Sequence, residues 1–167
     1  LELTGSRILA PYLGTSLVVW TGLIGVVLGA LSLGYWWGGR IADRKANVRT
    51  LSLIVLAAGA AIGLTALVQA PFLRLIQQSM HNLHLGVLLA TVALFAPPSI
   101  FLGMIAPYAV KMKLSDLEDT GATVGRMYAL STIGSIVGTF LAGFVLLAYV
   151  GSLNIIIFLA GVMTLLA

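Results

Sequence analysis

Side chains able to do chemistry are sparse here. The sequence holds five acids, nine bases and two histidines in 167 residues, and no cysteine. Disulfides, thiolate metal sites and cysteine nucleophiles are therefore excluded. His81 and His84 are three positions apart, which suits one helix face. Two such ligands, without an acid or a third histidine, make a poor metal site and read as structural. Asp116, Glu118 and Asp119 crowd one short stretch, where Ser115-x-x-Glu118 has the form of a capping box. They read as a solvated turn on which a basic partner can dock. No paired carboxylates fall in a plausible cleft, and no strand–glycine loop–helix pattern is present. The expectation is no catalytic set, no cofactor and no metal.

Two groups of charged residues carry more interest. Glu2, with Arg7 and Tyr12 nearby, is the candidate substrate-binding set. An acid near or inside a bilayer is costly and marks function by default, and it attracts a cation. The alternative is that Glu2 and Arg7 sit among headgroups or pair with each other. Arg40, Asp43, Arg44 and Arg126 form the second group. Asp43 either pairs with Arg126 or caps the helix that begins near Thr123, whose positive dipole end favours an acid. Such a clasp acts as a gate; the alternative is a solvated loop that only fixes topology.

The elements that position these residues follow from hydropathy. Hydrophobic residues make up 60% of the chain and charged residues 8%. A soluble domain carries about 25% charged residues to cover its surface. The solvent for most of this surface must be lipid. The net charge of +4 is not gathered into a basic stripe, so no nucleic-acid partner is expected. A helix needs about 20 apolar residues to cross the hydrocarbon core. The charge-free intervals, with Pro and Gly as punctuation, predict spans over 15–37, 50–70, 85–109, 124–149 and 152–167. The last is only about 24 Å long at 1.5 Å per residue. Residues 1–14 read as the end of a preceding helix or an interfacial segment, with Pro11 and Gly14 interrupting the helix. Residues 72–84 read as an interfacial helix, with Phe72, Ile76, Met80 and Leu83 on one face and Arg74, Gln77, Gln78 and His81 on the other. Pro97, Pro98 and Pro107 predict a kinked third span that lines a cavity, acts as a hinge or is simply filled by neighbours. The fold class expected is all-α integral membrane: one domain over 1–167, a polytopic bundle of five to six transmembrane helices.

Seven of the nine bases (Arg40, Arg44, Lys45, Arg49, Lys111, Lys113 and Arg126) fall in loops 38–49 and 110–126. The positive-inside rule makes those loops cytoplasmic, in what is expected to be a prokaryotic inner membrane. Arg7 and Arg74 fall on the other side. The chain starts at Leu1 and shows no signal peptide. Either its ends are processed or it is a piece of a longer protein.

A repeat is visible in the glycines. Gly25, Gly29 and Gly34 in the first span match the spacing of Gly134, Gly138 and Gly143 in the fourth, four residues and then five. Spans three apart run in opposite directions, which is the plan of inverted three-helix repeats. The alternative is helix packing, for which such glycines are common.

The segment Gly34-Tyr35-Trp36-Trp37-Gly38-Gly39-Arg40-Ile41-Ala42-Asp43-Arg44-Lys45 places tryptophans at an interface and two glycines where the backbone can turn. It resembles the Gly-x-Leu-Ala-Asp-Arg loop between the second and third helices of major facilitator proteins. A wider set resembles the membrane region of spermidine synthase-like proteins. It comprises residues 6–16, Trp20, Leu33-Gly34-Tyr35, Gly38 to Arg44, Gly103-Met104 with Pro107, and Gly125 to Ser135 with Gly138-Thr139. The resemblance spans nearly the whole chain. It implies a helix preceding the Ser6-Arg7 segment and a cytoplasmic aminopropyltransferase-like domain following the chain. It also implies a half-size major facilitator-like organisation. The chain alone lacks the glycine-rich loop and acids of such an enzyme. Three functions are left open: a membrane anchor that binds or moves a polyamine-like cation, a secondary transporter acting as a homo-oligomer, and a non-catalytic subunit of a larger membrane complex.

Overall fold

The computed structural model describes residues 1–44, 46–80, 82–113 and 120–167, with Thr120 described by its backbone alone. Lys45, His81, Ser115, Asp116, Glu118 and Asp119 lie outside the described residues. All regular structure among the described residues is helical. The elements are α1 (Glu2–Leu13), α2 (Leu17–Arg44), α3 (Val48–Ser79), α4 (Leu83–Lys113), α5 (Thr120–Phe140), a π segment (Leu141–Leu146), α6 (Leu147–Tyr149) and α7 (Ser152–Leu166). Helix α5 runs through the π segment into α6 as one rod. Among the described residues, four helices are long and apolar enough to cross a membrane: Leu17–Arg44, Val48–Ser79, Leu83–Lys113 and Gly121–Tyr149. Helix α7 is a shorter apolar helix of 15 residues. The protein is a helical membrane bundle.

The core is a seam between α2 and α4. Helix α2 buries Val19, Leu23, Val27, Ala30, Gly34, Gly38 and Ala42, spaced three or four apart, as one stripe. Glycines let the two backbones meet. A Cβ on Gly34 would overlap the carbonyl oxygen of Ile100 and lie 3.0 Å from the Cα of Gly103; one on Gly38 would lie 2.6 Å from the Cα of Met104. Lipid tails are as apolar as leucine, so close backbone packing supplies the cohesion that burial supplies in water.

Helix α3 packs on the other side of α4. Its start is fixed by Asn47, whose side-chain oxygen accepts the Thr50 N–H at 2.7 Å. The Tyr108 hydroxyl, fully buried on α4, accepts the Asn47 N–H at 3.0 Å. Proline shapes the middle of this interface. Pro98 has no N–H to give the Leu94 carbonyl one turn earlier. The Thr65 hydroxyl lies 2.8 Å from that oxygen and 3.0 Å from the Ala61 carbonyl, so it can supply the missing donor from α3. Helix α7 seals the outer face of α3, with Gly59 set against Met163, Thr164 and Ala160.

The structure corrects several boundaries. Pro11 does not interrupt α1, which continues through it to Leu13, whereas Gly14 (φ +80) does end the helix. No separate helix spans 72–84: α3 passes through Pro71 to Ser79, held by buried Leu73 and Ile76, and α4 begins at Leu83. The amphipathic pattern is real, with Arg74, Gln77 and Gln78 exposed, but it belongs to the end of α3. The expected loop over 38–49 is helical as far as Arg44, so Gly38 and Gly39 make no turn. The span expected over 15–37 accordingly reaches seven residues further at its C-terminal end, about two turns.

Candidate functional site

Helices α1, α2, α4 and α7 and the α5–α6 rod surround a cavity of about 570 Å³. Helix α1 runs inward from the turn at Gly14, antiparallel to the start of α2, so its first residues lie deep in the bundle. Gly5 sets that depth: a Cβ there would lie 3.0 Å from the Phe95 ring of α4 and 3.3 Å from Leu23 of α2. Glu2 is thereby brought to the wall of the cavity that Val27 and Leu31 of α2 and Ser99 and Leu102 of α4 also line. Those partners sit near the middle of the 28-residue α2 and the 31-residue α4. The acid is thus level with the middle of the bundle. The remaining polar lining comes from Thr4, Ser99, Ser135 and Thr139; the rest is apolar. Glu2 forms no ion pair with another side chain among the described residues; the Leu1 amino group next to it is the one cation acting on it there.

The sequence placed Glu2, Arg7 and Tyr12 together, and the structure separates them. Arg7 follows Glu2 by five residues, a rotation of about 140° around the helix, and is exposed. Tyr12 lines a different cavity of about 180 Å³, with Gln77 and Asn82, where α1 meets the α3–α4 turn. The hydroxyl residues were not predicted. Their sequence signals are Ser99 directly after Pro97-Pro98 and Thr139 directly after Gly138, where a backbone departs from regular packing. The π segment begins just past Thr139, and Leu141, Ala142 and Leu146 line the same cavity. Such wide turns recur at functional sites.

At the basic end of the bundle the proposed clasp is rearranged. Asp43 pairs with Lys111 of α4 at 3.1 Å, not with Arg126. The α2–α4 seam brings Lys111 within reach, whereas Arg126 lies exposed on α5. The Arg40 guanidinium stands 4.5 Å over the Trp36 ring, a cation–π contact that ties the charge to the helix that bears it. Arg44 is exposed.

The glycine triplets are in unlike surroundings. Gly34 is wedged against α4, while Cβ atoms on Gly25, Gly29, Gly134, Gly138 and Gly143 would meet nothing within 4 Å. Gly143 lies inside the π segment and Gly34 in regular α-helix. No group of three or more metal-ligating side chains occurs among the described residues. A scan against protein-family models, a search of curated proteins and a search of solved structures each find no match to this chain.

Proposed function

We propose that this protein is a membrane-embedded binding domain for a cationic solute, with Glu2 as the acceptor of the positive charge. The observation that carries the reading is the position of Glu2: a carboxylate at mid-bundle, on the wall of a cavity large enough for a small organic ligand, without a side-chain ion-pair partner among the described residues. Charges at that depth are retained where they meet a counter-charge. Thr4, Ser99, Ser135 and Thr139 supply hydroxyl oxygens to accept hydrogen bonds from an ammonium group. In this reading the basic end carrying Arg40, Arg44, Lys111 and Lys113 faces the cytoplasm by the positive-inside rule, in a prokaryotic inner membrane. The sequence resemblance to spermidine synthase-like membrane regions and half-size major facilitator units supports this reading, since it implies a cytoplasmic partner domain and an amine as solute.

The test is uptake or binding of a radiolabelled amine by the purified protein in liposomes. Glu2→Gln is expected to lower it tenfold or more, while Arg7→Gln leaves it within twofold. Equal activity of wild type and Glu2→Gln would refute the role of Glu2.

A second reading is favoured by one observation. No residue in the most apolar stretch of the Gly121–Tyr149 rod is buried within this chain. As a subunit of a homo-oligomer or larger complex, the protein would cover that rod with a partner helix. Crosslinking in native membranes between cysteines placed at Ile133 and Val137 would yield a dimer; monomer alone would exclude the homo-oligomer.

A further inference from the structure

On the side of the basic end, the cavity around Glu2 adjoins a second space. A groove of about 360 Å³ runs between α4 and α5, lined on α4 by Leu102, Ile105 and Ala109 and on α5 by Met127 and Ser131. Leu102 belongs to both the groove and the cavity. The α5 face is continuous as well: Ser131 in the groove is followed on the same face by Ser135, Gly138, Thr139 and Ala142 in the cavity, at helical spacing. The two spaces thus adjoin at Leu102 and along one face of α5, and are taken together as a slot. It extends along α4 from Ser99 to Val110, about 16 Å at 1.5 Å per residue.

The chemistry of the slot is uneven. Its one charged side chain is Glu2, at the mid-bundle end beside the Leu1 amino group, and the side chains of the groove half are polar only at Tyr128 and Ser131. A solute with several ammonium groups would place one at Glu2 and leave the others in an apolar channel without counter-charge, at a large desolvation penalty. A solute with one ammonium and an alkyl chain matches both halves. The exposed α5 leaves the slot open to lipid along its side.

We infer that the ligand of this site is an amphiphilic monoamine, which enters from the bilayer between α4 and α5 and sets its ammonium group on Glu2 with its alkyl chain along Leu102, Ile105 and Ala109. The inference rests on the reading of Glu2 as a cation acceptor and narrows the cation to one charge and one apolar tail.

The experiment measures the melting temperature of the purified protein in nanodiscs of zwitterionic lipid. The probes are a series from ethylammonium to dodecylammonium, with spermidine, and with dodecanol as the uncharged control of equal chain length. The expected result is a stabilising shift that grows with chain length, is absent for dodecanol and disappears in Glu2→Gln. Ala106 also lines the groove, and Ala106→Trp, which fills it, is expected to abolish the dodecylammonium shift and keep the ethylammonium shift. Ser131→Trp fills the groove from the α5 side, should Ala106→Trp not fold. Spermidine or ethylammonium stabilising as strongly as dodecylammonium, through Glu2, would overturn the amphiphile and leave the cation acceptor standing. A dodecylammonium shift that survives Glu2→Gln, or equals that of dodecanol, would also overturn it. No Glu2-dependent shift with any amine would overturn both.

Discussion

The seam between α2 and α4 and the rod from α5 to α6 are built from similar residues and behave in opposite ways. Both are apolar and both contain glycines four apart, Gly34 and Gly38 in one and Gly134 and Gly138 in the other. In the seam those glycines are where backbones touch. In the rod they face open space, and the rod meets the rest of the chain mainly through the walls of the cavity. A glycine pair therefore marks a contact only when the opposite helix presents a matching flat surface. Helix α4 presents one at Gly103, where an added Cβ would lie 2.7 Å from the Leu31 carbonyl oxygen. The division assigns stability to the seam and leaves the rod available for ligand or partner.

The largest expected effect tests that division directly. Gly34→Ala places a methyl group against the Ile100 carbonyl, a backbone atom that cannot rotate away. Overpacking of this kind costs about 3 kcal/mol. Gly134→Ala adds the same methyl group where nothing lies within 4 Å. There the better helix propensity of alanine leaves stability unchanged or raised by up to about 1 kcal/mol. Reversible unfolding in mixed micelles distinguishes the two. Equal losses would break the comparison, because the rod would then be packed as tightly as the seam.

The next effects lie on the α3 side of α4. Thr65→Val removes the donor that reaches the Leu94 carbonyl, and a loss of about 1 kcal/mol is expected. Pro98→Ala returns a backbone N–H one turn after Leu94, so the hydroxyl should matter less in that background. A double-mutant cycle reads the coupling, and additive losses would show that Thr65 does not serve that oxygen. Asn47→Ala removes the cap of α3 and should lower stability by about 1 kcal/mol. A loss below a few tenths of a kcal/mol would mean that Tyr108 holds the turn without it.

How far the sequence reveals this arrangement depends on the length scale of the signal. The long spans are legible because a lack of charge over some twenty residues has one physical meaning. Their ends are less so. Gly38-Gly39 looks like a turn, since glycine serves both bends and close packing, and only the presence of Met104 opposite Gly38 decides between them. Pro71 looks like a break, but buried Leu73 and Ile76 carry α3 past it. At the site, Glu2 is legible as an acid among apolar residues. Its neighbours Ser99 and Thr139 are not, because serine and threonine are ordinary in membrane helices and these come from helices distant in sequence. Arg7 and Tyr12 show the converse: they are close to Glu2 along the chain, but the helix turns them to other faces.

The smallest expected effect concerns the ion pair at the basic end, where two contributions of similar size oppose each other. Asp43 and Lys111 meet at 3.1 Å, but their side chains remain 70% and 50% exposed, so water and salt screen the attraction. Such a pair is worth about 0.5 kcal/mol. Asp43 also stands next to the C-terminus of α2, where the helix dipole disfavours an acid by about 0.3–1 kcal/mol. Asp43→Asn loses the first contribution and gains the second, so stability should stay within about 0.5 kcal/mol of wild type. Lys111 stands in the last turn of α4, where the dipole favours a base. Lys111→Gln loses both the pair and the dipole interaction and should be the more destabilising of the two. Raising the salt concentration should shrink that difference. A larger loss for Asp43→Asn would mean that Asp43 holds a partner that matters more than Lys111, and would restore a gating role to this end of the bundle.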